Sequence, residues 1–285
     1  MLERVDRMQL AVRDRAEAAS TFAALFAAEV VGDDGVACLG ARRRTVQAGE
    51  SEFELLEPVA EGPVAAHLQR WGEGIFAAGF STANVPALAQ RLSQRGIAFQ
   101  EEGGQLHIPP GQTRGMGMVI SPSARRQQVG LITWLYEVTN IVRDHQEAAA
   151  FYADAFGLES SRFCPISSEQ FGYVGTLTLF DPPARLDRIE LTQITEPSLA
   201  MGRFFAKRGP SIYMCFAEAA DADPIRRRLE TRGGRYANQG DYDAQGIFIH
   251  PTALHGMLMG ISITNMAWLW SGRPELARRQ AGGGG

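Results

Sequence analysis

Cysteine is scarce. Cys38, Cys164 and Cys215 are the whole complement, odd in number and far apart. No C-x-x-C pair occurs, which excludes a zinc knuckle and a disulfide framework. Cys215 sits in an apolar run and reads as a small core residue. No hydrophobic run approaches the ~20 residues that span a membrane. The opening MLERVDRMQL lacks the apolar stretch of a secretory leader. A cytoplasmic location without a membrane partner is therefore expected. A basic excess is missing too: the formal net charge is −4, so no nucleic-acid partner is expected. Arg42-Arg43-Arg44 is the one basic cluster of note and reads as a solvated loop or strand end. There is no Walker pattern, no dinucleotide fingerprint, no Ser-His-Asp order and no Cys-His pair.

What is present is a repeat. The segment AVRDRAEAASTFAALFA from Ala11 returns as IVRDHQEAAAFYADAFG from Ile141. FELLEP from Phe53 returns as IELTQI from Ile189, and RLSQRG from Arg91 as RLETRG from Arg228. The order is the same in both copies, so the 285 residues form a tandem duplication. Within each half a short apolar strand ends in Arg-Asp, and the Asp can cap the amphipathic helix that follows. Strands come next, then a second strand–helix pair closed by Gly96 or Gly233 at a C-cap position. The rhythm is βαβββ, twice per half, an α+β architecture. Expected boundaries are a first domain over 1–122, a polar linker over 123–131, a second domain over 132–265 and a tail over 266–285.

These motifs in this order resemble the vicinal oxygen chelate superfamily of glyoxalases, methylmalonyl-CoA epimerases, bleomycin-resistance proteins and extradiol dioxygenases. The opening AVRD…EAA…F, the FELLEP strand, the WGEG and KRGPS approaches to a strand, and HPTALHGMLMGI carry the likeness over nearly the whole chain. The resemblance implies two barrel-like domains, each with a half-open cavity. It also implies metal ligands on particular strands, and those positions hold Arg7, Glu54, Ala77 and Val119 in the first half. In the second half they hold Glu137, Glu190, Met214 and Gly260. Neither set supplies the several N or O donors that a divalent ion needs. No metal and no other cofactor is expected.

Arg7 and Glu54 are expected to face each other in the first cavity. They form either an ion pair plugging a dead site or a clamp for a substrate carboxylate. Glu137 and Glu190 are expected to share the second cavity. Two neighbouring carboxylates resist ionising together, which suits general acid/base work; equally, both could be hydrogen-bonded and inert. Met214, Met257 and Met259 are candidates to line an adaptable apolar cavity. His250 and His255 read either as turn residues or, for one of them, as a donor at the mouth of the second cavity. Trp268 and Trp270 look exposed and suited to anchoring the tail, and the closing glycine run is expected to be flexible.

Three functions follow as expectations. The first is a metal-independent isomerase, epimerase or lyase acting on a small carbonyl-containing acid or aromatic compound through Glu137 and Glu190. The second is a non-catalytic small-molecule binding protein of the sequestration or resistance type. The third is an extradiol-type dioxygenase, which fits the length but not the ligands. The partner expected throughout is a small-molecule ligand or substrate, with a homodimer as the candidate assembly.

Overall fold

The computed structural model describes residues 1–239 and 246–280, and the closing glycine run lies outside the described residues. The first half contains β1 (Arg4–Ala11), α1 (Arg15–Phe26), β2 (Glu29–Val36), β3 (Ala41–Ala48) and β4 (Ser51–Pro58). A connecting helix α2 (Pro63–Trp71) leads to β5 (Gly74–Thr82), α3 (Val85–Gln94), β6 (Gln100–Glu102), β7 (Gln105–Ile108) and β8 (Met118–Pro122). The second half repeats the series as β9 (Trp134–Val142), α4 (His145–Phe156), β10 (Cys164–Ser168), β11 (Tyr173–Leu179) and β12 (Arg188–Ile194). It continues with α5 (Ala200–Arg208), β13 (Ser211–Ala219), α6 (Asp223–Thr231), β14 (Tyr236–Asn238), β15 (Gly246–Ile249) and β16 (Met259–Ile263). A 3-10 turn over Met266–Trp270 and a short helix α7 (Glu275–Gln280) form the tail.

Each half makes one eight-stranded mixed sheet, in the orders β2-β3-β4-β1-β5-β8-β7-β6 and β10-β11-β12-β9-β13-β16-β15-β14. The βαβββ rhythm legible in the sequence is therefore the observed one, twice per half. The Asp caps are also as expected. Asp14 accepts the N–H groups of Ala16 and Glu17, and Asp144 those of Gln146 and Glu147. These bonds satisfy orphan donors at the start of α1 and α4.

Period-2 alternation gives each sheet two unlike faces. Met8 and Leu10 of β1, with Val12 just past its end, join the core on the helix side, together with Phe22 and Phe26 of α1. That core runs on without a break into Val138, Tyr152, Phe156 and Cys215 of the second half. Two reciprocal bonds stitch the halves: Val5 N–H donates to Asp187 at 2.8 Å, and Leu135 N–H donates to Ser51 at 2.9 Å. The opposite face of each sheet forms a cup, with α2 packed on Ala11 and Leu56 at one end of the first through Val64 and Leu68, and α7 of the tail packed against the second. Arg7 and Gln9 point into the first, and Glu137 and Thr139 into the second.

Candidate functional site

In the first cup, β1 and β4 run parallel with Arg7 beside Glu52 and Gln9 beside Glu54. All three Arg7 nitrogens are engaged. Nε and Nη2 bond Asp6 at 3.0 and 2.7 Å, and Nη1 reaches Glu54 at 2.5 Å and Glu52 at 2.8 Å. Glu54 also accepts from Gln9 and Gln105 and lies 3.3 Å from Arg43. Arg126 completes the network by bonding Asp6 and Glu52. Burial alone would raise the Glu54 carboxyl. Attraction from Arg7 and Arg43, with the amides of Gln9 and Gln105, outweighs it and holds the group at about 2. The Arg7 chain lies across Gly79, where any Cβ would collide with it. The first cup is a closed, charge-balanced plug. Arg43 belongs to it as a β3 residue bonded to Asp34 and Gln105; the Arg42-Arg43-Arg44 run, read as a solvated loop or strand end, does open a strand, but Arg43 is not a solvated residue.

The second cup uses the same framework with the charges exchanged. Glu137 occupies the place of Arg7, and its parallel neighbour is Arg188, in the place of Glu52. Arg188 Nε donates to Glu137 at 2.5 Å, and both side chains are buried. Glu190, the counterpart of Glu54, pairs in register with Thr139 and accepts its hydroxyl at 2.6 Å. Among the described residues no guanidinium bonds it. Burial first, and then the Glu137 carboxylate, push the Glu190 carboxyl up to about 8, against the pull of Thr139, Tyr173 and Arg188. The Tyr173 phenol beside it is held well above its ordinary value by burial and by Glu190. Glu137 and Glu190 thus meet on one face, as the sequence suggested, but a cation the sequence reading did not weigh sits with them. Its signal was there. In RIELT, Arg188, Glu190 and Thr192 alternate onto one strand face.

The remaining walls are aromatic. Tyr136, with its hydroxyl 3.0 Å from Ser262, faces Phe216 at 6.0 Å between ring centroids, and Phe216 faces Phe248 at 5.7 Å. The guanidinium of Arg188 lies 5.2 Å from the Tyr136 ring centre. Met214, Leu186, Ala267 and Trp268 complete this cluster. Trp268 is only 2% exposed, so the expectation of an exposed indole is corrected: the tail folds over the second cup and inserts it. Glu218 shares this face but turns one oxygen toward the Asn265 N–H at the start of the tail.

Other expected site residues lie elsewhere. Met257 and Met259 belong to the helix-side core, in contact with the Cys215 side of β13, and do not line the cup. The cause is strand alternation: Met259 is in register with Cys215, whereas Met214 faces the other way. His250 bonds Thr252 in its own turn, near the surface. His255 reaches Glu73 at 3.2 Å and Thr21 at 3.0 Å, in a cleft between the two halves and not at the mouth of the second cup.

A divalent centre of the kind the resemblance implies does not fit these residues. At the expected ligand positions the first cup offers one carboxylate, Glu54, already held by two guanidiniums, and the second offers two, one of them bonded to Arg188. At the last-strand position, Gly260 lies under the Phe216 ring, which leaves no room for a carboxylate side chain there. Among the described residues no three His, Cys, Asp or Glu side chains converge as a metal-binding group.

No family model and no curated protein sequence matches the chain. Among solved structures, a mutant 4-hydroxymandelate synthase from Streptomyces coelicolor superposes over 98% of this chain and 100% of its own, with a TM-score of 0.68 at 14% identity. The fold is the tandem vicinal-oxygen-chelate fold. Methylmalonyl-CoA epimerase from Mycobacterium tuberculosis covers 47% of this chain and 89% of its own at 26% identity, with a TM-score of 0.40. A variant of the Streptomyces coelicolor epimerase, solved with 2-nitronate-propionyl-CoA, covers 44% and 100% at 21% identity, with a TM-score of 0.40. At these identities the likeness concerns the fold. Among the described residues no helix is long and apolar enough to cross a membrane.

Proposed function

We propose that the second cup is the working site and that it moves a proton beside the carbonyl of a small carbonyl-containing acid or aromatic compound, as an isomerase, epimerase or lyase does. The observation that carries this reading is the state of Glu190: a carboxyl buried beside Glu137, bonded by Thr139 and, among the described residues, by no guanidinium. Such a group keeps its proton near neutral pH and can donate it. Glu137, fixed by Arg188, is the partner that accepts one. The aromatic walls keep water out, which strengthens each electrostatic contact. No step needs a metal held at the family positions.

The test is deuterium wash-in. A panel of small carbonyl acids is incubated with the full chain in D2O, and exchange beside the carbonyl is followed by proton NMR. The wild-type chain is expected to exchange at least one member, and Glu190→Gln to lose about 100-fold or more of that rate, the usual scale of acid/base assistance. Exchange that survives in both Glu190→Gln and Glu137→Gln sinks the reading.

A second reading is a binding protein that sequesters a small apolar compound. The aromatic cluster of Tyr136, Phe216, Phe248 and Trp268 favours it. It predicts a ligand recovered unchanged after long incubation, and detectable product counts against it.

A further inference from the structure

We propose that Arg188 is the anion-binding residue of the second cup, and that the ligand it receives is a small monocarboxylate with an apolar or aromatic body. This rests on the second cup being the working site and adds the chemical class of what enters it.

A guanidinium carries five N–H donors in a planar fork. Arg188 is fully buried, yet only its Nε has an acceptor, the Glu137 carboxylate. Among the described residues neither Nη1 nor Nη2 meets an acceptor. Buried donors are nearly always bonded, and charged ones cost most when they are not. The first cup shows how this framework satisfies the same group. There Arg7 has carboxylates on every nitrogen, from Asp6, Glu52 and Glu54. In the second cup the place of Asp6 is taken by Tyr136, and the place of Glu52 by Arg188 itself. The second cup is short of carboxylate, and its fork is left with two buried nitrogens that have no acceptor among the described residues.

Two in-plane N–H groups match the two oxygens of one carboxylate, the bidentate geometry for which arginine is suited and lysine is not. The surroundings set the rest of the ligand. Tyr136, Phe216 and Phe248 offer ring faces and edges, and the Trp268 indole from the tail packs into the same cluster. A second charge on the ligand would face Glu137 and Glu190 without a cation to meet it, so one carboxylate is the fit. With the carboxylate on Arg188, a carbonyl next to it lies within the same cup as Glu190.

The experiment is calorimetric titration of the full chain with phenylacetate and, in parallel, with phenylacetamide, which has the same shape without the charge. The wild-type chain, or Trp268→Ala in which space for the phenyl ring is opened, is expected to bind phenylacetate about tenfold or more tightly than the amide. Arg188→Lys is expected to lose about tenfold or more for phenylacetate and little for the amide. Because Arg188→Lys also disturbs a buried pair, Glu137→Gln serves as the second variant. It keeps the guanidinium, removes the competing charge and should tighten phenylacetate severalfold. Arg114→Ala, in the cleft between the halves, should change nothing. Equal affinity for acid and amide overturns the proposal. So does undiminished phenylacetate binding in folded Arg188→Lys, or no phenylacetate binding in both the wild type and Trp268→Ala. Glu190→Gln separates the two claims. If it keeps Arg188-dependent phenylacetate binding while deuterium exchange survives in both it and Glu137→Gln, the anion site stands and the proton-transfer reading falls.

Discussion

The two cups are copies of one framework, and they differ by an exchange of charge. At the paired positions on the first and fourth strands, the first cup has Arg7 against Glu52 and the second has Glu137 against Arg188. The carboxyls that follow, Glu54 and Glu190, keep their places in both. The outcome is opposite. Glu54, held between Arg7 and Arg43, stays ionised, whereas Glu190, beside another carboxylate, resists ionisation. Each cup is then covered by the segment that leaves its last strand. After β8 that segment supplies Arg126, which locks the charge network. After β16 it supplies Trp268, which buries an indole over aromatic rings. The same fold thus yields one cup satisfied by its own side chains and one with donors to spare.

Breaking the central pair gives the largest expected effect. Arg188→Met leaves Glu137 buried without a counter-ion and should cost about 3–5 kcal/mol in denaturant unfolding. The double variant Glu137→Gln with Arg188→Met should recover most of that loss. In the first cup Arg7→Met should cost less, because Arg43 and Arg126 remain to hold the carboxylates. Equal losses in the two cups would contradict the difference drawn between them.

The covers come next. Trp268→Ala removes a fully buried indole and should cost about 3 kcal/mol. Arg126→Ala removes charge-assisted bonds at the rim and should cost about 1–2 kcal/mol. Thermal unfolding of both variants reads the comparison directly.

The pH dependence should have opposite signs in the two cups. Glu54 is lowered from its ordinary value of 4.5 to about 2. Its contribution is present above pH 4.5 and is lost as pH falls toward 2, a span on the order of 3 kcal/mol. Glu190 is raised from 4.5 to about 8. Stability linked to it is fully present below pH 4.5 and declines as pH rises through about 8. Unfolding free energy measured against pH should therefore lose its acid limb in Glu54→Gln and its alkaline decline in Glu190→Gln. With Glu190 as the proton donor, turnover should also fall as pH passes about 8.

The smallest effect is a control on which the halves should agree. Asp14→Ala and Asp144→Ala each remove two capping bonds and should each cost about 1 kcal/mol.

The fold was largely legible because it rests on local rules written twice. VRD before a helix, GIFAAGFS and SIYMCFAEA as strands, and Gly96 and Gly233 past a helix end are signals that the duplication repeats. Glu137 and Glu190 were legible as a pair by the same logic. Arg188 was not, because its role depends on which carboxylate its Nε takes and which nitrogens stay unbonded, and spacing does not set that. Met257 and Met259 were misplaced because a Met-rich stretch looks like a pocket until the strand alternation is fixed. Cys215, paired in register with Met259, settles which face they occupy. Arg126 escaped, and Trp268 was expected as a tail anchor but not as a buried one, for a shared reason: each comes from a polar or terminal segment whose path over a cup is a tertiary matter. His255 took up a seam between halves that only the packing of α1 against the second half creates.

The central claim is that Glu190 holds a proton where Glu54 does not. The direct measurement is the infrared carbonyl stretch of protonated carboxyls at pH 7, recorded as a difference between the wild type and Glu190→Gln, and between the wild type and Glu54→Gln. The account predicts that a protonated-carboxyl band disappears in Glu190→Gln and is unchanged in Glu54→Gln, and that in the wild type it titrates away near pH 8. A wild-type spectrum without such a band, or one in which the band survives in Glu190→Gln, would contradict it.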